Sequence, residues 1–552
     1  MLDKVLRFAR LGPAPVHGKQ SPPSAAPQAG QASTSPAAPS AAKEDQSTAQ
    51  SLPAPAKATH NPLKDLSLEA FIEKQTPTAW KRLLANIHPQ GTSPGCVVAS
   101  PSRALPNYWY QWTRDSAICE RALVERFTRE SRAEDLRTLE EYVEASRVMQ
   151  HKQTVLGGFD DGGLGEVKYE VDCEPFTGDW GRPQADGPGS RILTLGTLAL
   201  HLLESGDGDK VEYVKTVLYP GVTGEHTGVL RGDLDYVCSH WQMKGFDLWE
   251  EVSGLHFYTL LTLRSALLLG ARLVSHPALA TADSLAASTK YAAAADAITP
   301  QLARFWDAER GFVRVTLDHG KEEGASSELD IAVVLAVLHA GRSTGWAKLT
   351  TADKVLATLD KLVKAFYETY PLNKGRREGD KKEAVALGRY PEDVYDGVGM
   401  SLASPWYLAC AGAAEFLYVL VQDLASLPSR PNATFHLTPV AHTALTSLLP
   451  PLSAPLPAPN TTLTASHPAF VPLLHALQHL ADGFLAVVQE YVGVDGCLSE
   501  QFERDGVPRG SEDLSWSYAA WVSAVLERNK GKEAVARVDG VAPGEAGEAA
   551  SA

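Results

Sequence analysis

"PWYLACAGAAEFLYVLVQDL", Pro405 to Leu424, is apolar nearly all the way round a helix of period 3.6. A helix with one apolar stripe covers one neighbour; a helix of this kind has to be covered on several sides. The ordered part reads as helix after helix, with "RILTLGTLALHLLES" (Arg191–Ser205), "LHFYTLLTLRSALLLGARLV" (Leu255–Val274), "ELDIAVVLAVLHAG" (Glu328–Gly341) and "DLSWSYAAWVSAVLERN" (Asp513–Asn529) beside it, several of them apolar in the same way. The helices "EDLRTLEEYVEASRVMQ" (Glu134–Gln150) and "FVPLLHALQHLADGFLAVVQEYV" (Phe470–Val492) belong to the same series. The pattern predicts an all-α domain in which an inner ring of helices is wrapped by an outer one, rather than a simple bundle. Polar and aromatic stretches fall in the loops just before the apolar helices, which gathers them at one rim.

The chain has 552 residues, 44% of them hydrophobic, and a formal charge of −15. That sign disfavours nucleic acid, whose phosphates attract a basic face, and is indifferent to a neutral polar ligand. No uninterrupted apolar run of membrane-spanning length occurs, and the N-terminus lacks the apolar core of a signal peptide, so no membrane span is expected and the compartment stays open. Residues 1–63 are rich in Pro, Ala, Ser and Gln and read as a disordered tail; 64–530 read as a single domain and 531–552 as a second tail. "LPPLSAPLPAPNTTLTASHP" (Leu449–Pro468) reads as a long surface loop. Six cysteines without CxxC spacing exclude a zinc knuckle and favour free thiols, while sequons at Asn432 and Asn460 would matter only in a secretory compartment.

Chemistry is concentrated in a few loops. In "FDLWEEVSG" (Phe246–Gly254), Glu250 and Glu251 sit between Trp249 and Val252. Most such pairs lie on a solvated helix face; an apolar wall would instead desolvate one carboxylate and raise its pKa towards that of an acid catalyst. A second carboxylate is available in "GCLSEQFERDG" (Gly496–Gly506), where Glu500 follows a Ser. Two carboxyl groups roughly 6.5–9.5 Å apart are what an inverting glycosidase needs, one to protonate the leaving oxygen and one to activate water. "NYWYQWTRDSA" (Asn107–Ala117) supplies aromatic rings followed by Arg114 and Asp115, "TGDWGRPQADGPGSR" (Thr177–Arg191) supplies Trp180, and "GRYPEDVYDG" (Gly388–Gly397) supplies Arg389, Asp393 and Tyr395. Rings stack on pyranose faces, and Arg with a carboxylate binds adjacent hydroxyls. Each stretch alone has a structural explanation as core or salt bridge; together they suit a sugar site.

In this order, "YQWTRDSA", "GLGEVKYEVDCEPFTGDWGRPQADGP", "FDLWEEVSG", "RYPEDVYDG" and "CLSEQFERDG" with "DLSWSYAA" resemble the motifs of the glucoamylases, glycoside hydrolase family 15. The resemblance spans roughly residues 64–530, and "VVASPSRALPNYWYQWTRD" is similar to the yeast and other fungal forms that consist of a catalytic domain alone. It implies an (α/α)6 barrel, a six-hairpin toroid, and a glucan 1,4-alpha-glucosidase that releases β-glucose from non-reducing ends of α-1,4-glucans, more slowly at α-1,6 links. It implies no metal and no organic cofactor. The partner implied is an α-glucan or maltooligosaccharide, without nucleic acid or membrane, and the expected state is a monomer. Carried over motif by motif, Glu250 is the general acid and Glu500 the general base. Glu251, Arg114, Asp115 and Arg389 would bind sugar hydroxyls, and Tyr108, Trp112, Trp180 and Trp516 would form aromatic walls. After "LWEEV" many relatives have "NGSSFF" where this chain has "SGLHFY", so His256 enters the surroundings of the acid; a packed helix-start histidine is its plain reading. "GVGMSLASPW" after Tyr395 is longer than the shortest family form, which leaves the place of Trp406 open. Two alternatives stand beside this reading: the same barrel acting on another α-glucoside such as trehalose, and a catalytically silent glucan-binding or regulatory protein.

Overall fold

Among the described residues twelve helices build the barrel, in the order α1 Leu68–Ala85, α2 Thr113–Glu130, α3 Ala133–Gln150, α4 Asp186–Glu204, α5 Val229–His240 and α6 Phe257–Val274. They continue with α7 Ala282–Ala303, α8 Ala332–Ala340, α9 Leu349–Thr369, α10 Tyr407–Ala425, α11 Phe470–Tyr491 and α12 Ser515–Asp539. The computed structural model describes residues 60–220, 228–319, 328–340, 349–429, 434–503 and 507–540. All of these belong to one unit, Pro55–Ala552. The expected tail segments 1–59 and 541–552 lie outside the described residues, as does Asn432 of the first sequon.

The even-numbered helices touch in the order α2, α4, α6, α8, α10, α12 and back to α2, which closes a ring. Each odd-numbered helix packs outside: α3 on α2, α5 on α4, α7 on α6, α9 on α8, α11 on α10 and α1 on α12. Sequence character follows position. In α10 sixteen of nineteen residues are buried, whereas in α7 only five of twenty-two are. An inner helix meets two ring neighbours and an outer cover, so small residues such as Gly412 and Ala413 and large ones such as Phe416 and Tyr418 are all used for packing. Between the inner helices, Arg121 of α2 donates to the Leu338 carbonyl of α8 (3.0 Å) and to Glu415 of α10 (3.3 Å). The expected (α/α)6 barrel is therefore the fold observed.

Two expectations, the end of the domain and the loop at 449–468, need correction. The C-terminal helix does not stop at 530 but continues to Asp539, because Ala534 and Val535 remain buried. Helix α6, the α10 segment Tyr407–Ser429 and α11 are each long and apolar enough to cross a membrane by length and composition, although no uninterrupted apolar run exists. The windows in α6 and α10 are mostly buried within the protein, and half of that in α11 is, which accounts for their hydropathy. The long 449–468 connection is also not purely loop: Thr461–Leu463 pairs with Phe435–Leu437 as short antiparallel strands.

Five of the six inner helices, α2, α4, α6, α10 and α12, begin directly after one of the chemically rich loops. Short strand pairs stiffen these loops: Gln111–Trp112 with Lys168–Tyr169, Gly245–Phe246 with Ser253–Gly254, and Gln501–Phe502 with Pro508–Arg509. The site is thus assembled on loops whose ends are fixed by packed helices.

Candidate active site

Glu250 sits at the tip of the turn that joins Gly245–Phe246 to Ser253–Gly254. Asp247 organises this turn: its carboxylate accepts from the backbone N–H groups of Trp249 (2.9 Å), Glu251 (2.8 Å) and Val252 (2.6 Å). With the backbone so held, Glu250 adopts φ +69°, a left-handed conformation rare for a residue with a side chain and one that recurs at functional sites. Its carboxylate accepts from Trp112 Nε1 (2.9 Å) and Gln184 Nε2 (3.2 Å) at one oxygen and from Trp180 Nε1 (2.8 Å) at the other. Desolvation among these groups pushes its pKa up to about 7, against the opposing pull of Arg114.

Glu500 lies on a different loop and is only 1% exposed. Tyr108 Oη donates to Oε1 (2.9 Å), Tyr395 Oη to Oε2 (3.1 Å), and the Ser511 N–H reaches Oε2 at 3.3 Å. Burial raises its pKa to about 7, although all three donors favour the ionised form. Gly510 makes this fit possible: at φ +66°, a Cβ there would stand 2.1 Å from Glu500 Oε2. Among the described residues no donor serves both carboxylates. They are linked through one segment, because Tyr108, which holds Glu500, packs on Trp112, which holds Glu250, with ring centroids 5.5 Å apart.

The sequence profile described as glycosyl hydrolases family 15 matches residues 77–526. The chain belongs to this family. It is 34% identical over 470 residues to Glucoamylase-1 of Schizophyllum commune, covering 83% of this chain and 74% of that protein. It is 31% identical over 490 residues to the intracellular, sporulation-specific glucoamylase of Saccharomyces cerevisiae, covering 84% of this chain and 85% of that one. Among solved structures, the family 15 glucoamylase from Hypocrea jecorina superposes with a TM-score of 0.73 at 34% identity, over 84% of this chain and 72% of that chain. The glucoamylase from Saccharomycopsis fibuligera gives 0.72 at 28% identity, over 84% and 96%.

In this family 15 chain the remaining expected residues fall into two groups around the carboxylates. Arg114, at the start of α2, is buried and bonds Gln184 Oε1 (2.8 Å), Asp115 (3.0 Å) and Asp186 (3.3 Å). Its Nε and Asp186 Oδ1 are buried without a hydrogen-bond partner. On the other side Arg389 forms a two-pronged pair with Asp393 (2.7 and 2.6 Å) and reaches Glu251 at 2.8 Å. Tyr390 Oη also donates to Glu251, at 2.6 Å, so the two adjacent glutamates face different partners. Trp516 stacks on Trp249 (6.1 Å, 23°) with the Arg114 guanidinium 5.7 Å from its ring, so it backs the wall rather than touching either carboxylate. Trp406, whose place the sequence left open, belongs to the same cluster, 5.6 Å from Trp249 and 6.3 Å from Tyr395.

One detail differs from the sequence reading. The rings that hold the Glu250 carboxylate are Trp112 and Trp180, not the adjacent Trp249, whose Nε1 donates to both oxygens of Asp330 (3.1 and 3.0 Å). Sequence reasoning also missed Gln184, which joins Arg114 to Glu250, and Asp247. Their only signal was polarity inside glycine-rich loops. The least legible was Lys168. It faces Trp112 across the strand pair and its ammonium lies 3.8 to 4.6 Å from the ring centroids of Trp180, Tyr110, Phe176 and Trp112. Burial in this cage lowers its pKa to about 8, with Glu250 opposing. His256 is the packed residue its context suggested: it stands at the N-cap position of α6 and its ring bonds the Gly245 carbonyl and Thr316 Oγ1, both at 2.9 Å. All six cysteines are free thiols.

Proposed function

We propose that this enzyme is a glucan 1,4-alpha-glucosidase that removes β-glucose, with inversion, from the non-reducing ends of α-1,4-glucans. The observation that carries the reading is the pair of carboxylates with separate donor sets. Glu250, raised to about 7, is protonated at mildly acidic pH and gives its proton to the glycosidic oxygen. Glu500, held by two phenols and a backbone N–H, accepts the proton of the water that attacks C1 from the opposite face. C–O cleavage and water attack together invert the anomeric carbon. Arg114 with Asp115 and Arg389 with Glu251 bind hydroxyls of the terminal glucose; the unpartnered Arg114 Nε and Asp186 Oδ1 support a polar ligand there. Trp112 and Trp180 line the acid side.

Proton NMR of the anomeric region during digestion of maltotetraose tests this. Early β-glucose with accumulating maltotriose is expected; early α-glucose would overturn the roles of both carboxylates. Glu250→Gln and Glu500→Gln are each expected to lower kcat by roughly 10²–10⁴ while maltooligosaccharide binding persists.

A further inference from the structure

Away from the carboxylates, α1, α2 and α12 enclose a solvent-open cleft of about 610 Å³. That size falls within the range of small-molecule sites, about 300–1,000 Å³. Arg126 on its wall lies roughly 18 Å along α2 from Arg114, at 1.5 Å per residue. Ala122, Glu125, Arg126 and Arg129 of α2 line it at the spacing i, i+3, i+4 and i+7. Val522, Val525, Leu526 and Asn529 of α12 repeat that spacing, and Trp80 of α1 supplies a third side. The small side chains of Ala122 and Ser523 leave the space between the two inner helices unfilled.

Three polar groups on this wall have no hydrogen-bond partner among the described residues. Arg126 is 7% exposed, and its Nε and Nη2 form a two-pronged pair with Asp135 (2.8 and 2.5 Å). Its guanidinium lies 3.9 Å from the centroid of the Trp80 ring. These contacts fix the group and leave Nη1 without an acceptor. Ser523 is 6% exposed. A serine inside a helix commonly bonds back to the carbonyl one turn earlier, as Ser239 does to Asp235 in α5 (2.8 Å); the Ser523 hydroxyl makes no such bond. Trp80 Nε1 is the third. Polar groups this enclosed are nearly always bonded, so their grouping in one cleft marks the place of a ligand.

The charges of the lining decide which kind. Arg126 is matched by Asp135, Glu125 by Arg121 (3.2 Å) and Arg129 by Glu130 (3.5 Å), so the cleft carries no surplus of either sign. An ion gains little there. We propose that this cleft is a second, non-catalytic binding site, and that it takes a small neutral polyol of the size of one hexose. Ring and hydroxyl oxygens accept from Arg126 Nη1 and Trp80 Nε1, a hydroxyl bonds Ser523, and the C–H surface of the sugar covers Val522 and Val525. The lining sets this ligand class independently of the hydrolase reading, which adds only that glucose would be at hand. Because the ligand touches three helices that meet nowhere near the carboxylates, its binding ties α1 to the first and last helices of the inner ring.

The test follows the indole N–H signals of the eleven tryptophans in the full chain, labelled with ¹⁵N-tryptophan, during titration with glucose. Trp80→Phe identifies the Trp80 signal. That signal is expected to move and saturate with a midpoint of its own. Ser523→Leu fills the cleft and is expected to abolish the response while the other indole signals keep their positions. Asn529→Ala, at the exposed edge, is expected to raise the midpoint about fivefold, the scale of one hydrogen bond, and serves where Ser523→Leu does not fold. A Trp80 signal that ignores glucose shows a cleft holding water alone and overturns the proposal. So does a response that survives both Ser523→Leu and Asn529→Ala unchanged. A response to sodium phosphate at constant ionic strength, without one to glucose, makes the cleft an anion site and overturns it as well.

Discussion

Two carboxylates with similarly raised pKa values can still divide acid from base, because their donors differ. The indoles and amide around Glu250 sit beside Asp115, whose charge resists ionisation, whereas the phenols and N–H at Glu500 reward it. Both values stand at about 7, above the 4.5 of an ordinary glutamate, and as neighbours in one site they titrate as a pair. On the proposed roles, activity is expected to be lost below the pair's range as Glu500 is protonated, and above it as Glu250 loses its proton. The expected kcat/KM profile is therefore a bell displaced towards neutrality; a bell centred near 4.5 would contradict these environments. Lys168 favours ionisation of Glu250, so Lys168→Met is expected to move the alkaline limb to higher pH and leave the acid limb in place, as a pH–rate series would show. Gly510→Ala would force a methyl group against Glu500. It is expected to lower kcat by roughly a hundredfold, measured on maltose, with the far-ultraviolet circular dichroism of the fold retained.

Elements show where sequence is legible and where it stops. The all-round apolar character of Pro405–Leu424 announces an inner helix because burial on several sides leaves no polar face to preserve. Glu250, Glu500, Arg114 and Arg389 were legible because their loops have distinctive composition. Lys168 and Asp330 were not: a lysine in "EVKYEVD" reads as a solvated strand residue until the strand pairing places it under Trp112, and Asp330 gains meaning only when Trp249 turns towards it. Helix α2 holds another such residue. Glu120 is fully buried, neither of its oxygens has a hydrogen-bond partner, and desolvation with Asp135 and Glu141 nearby raises its pKa well above the usual carboxylate value. In the folded state it keeps its proton, while the unfolded chain releases it above the ordinary glutamate range. Stability is therefore full below that range and declines as pH rises towards the folded pKa, by up to about 1.4 kcal/mol per pH unit. Glu120→Gln should flatten this slope in urea midpoints measured from pH 4 to pH 8, and parallel curves would refute it.

At the scale of the molecule the ring has a seam. Its first and last inner helices, α2 and α12, pack on each other, and the start of α12 with its lead-in loop is tied to residues 98–100, ahead of α2, by backbone and side-chain bonds: the Ser515 N–H to the Ala99 carbonyl (2.9 Å), Ser515 Oγ to the Val98 carbonyl (2.7 Å) and Ser100 Oγ to the Glu512 carbonyl (2.5 Å). A chain trimmed to residues 60–540 keeps every described contact and is expected to melt within a few degrees of the full chain, as calorimetry would measure. Ending the chain at 514 removes α12, exposes the apolar flanks of α2 and α10, and is expected to abolish cooperative melting. The seam also orders events on the ribosome. The proposed acid, with Trp112, Trp180 and Gln184 around it, has been synthesised by residue 250, but the proposed base awaits residue 500 and the helix that seats its loop. On the proposed roles a growing chain holds a proton donor with no partner to activate water, so the power to cut glucan is among the last properties the nascent protein acquires.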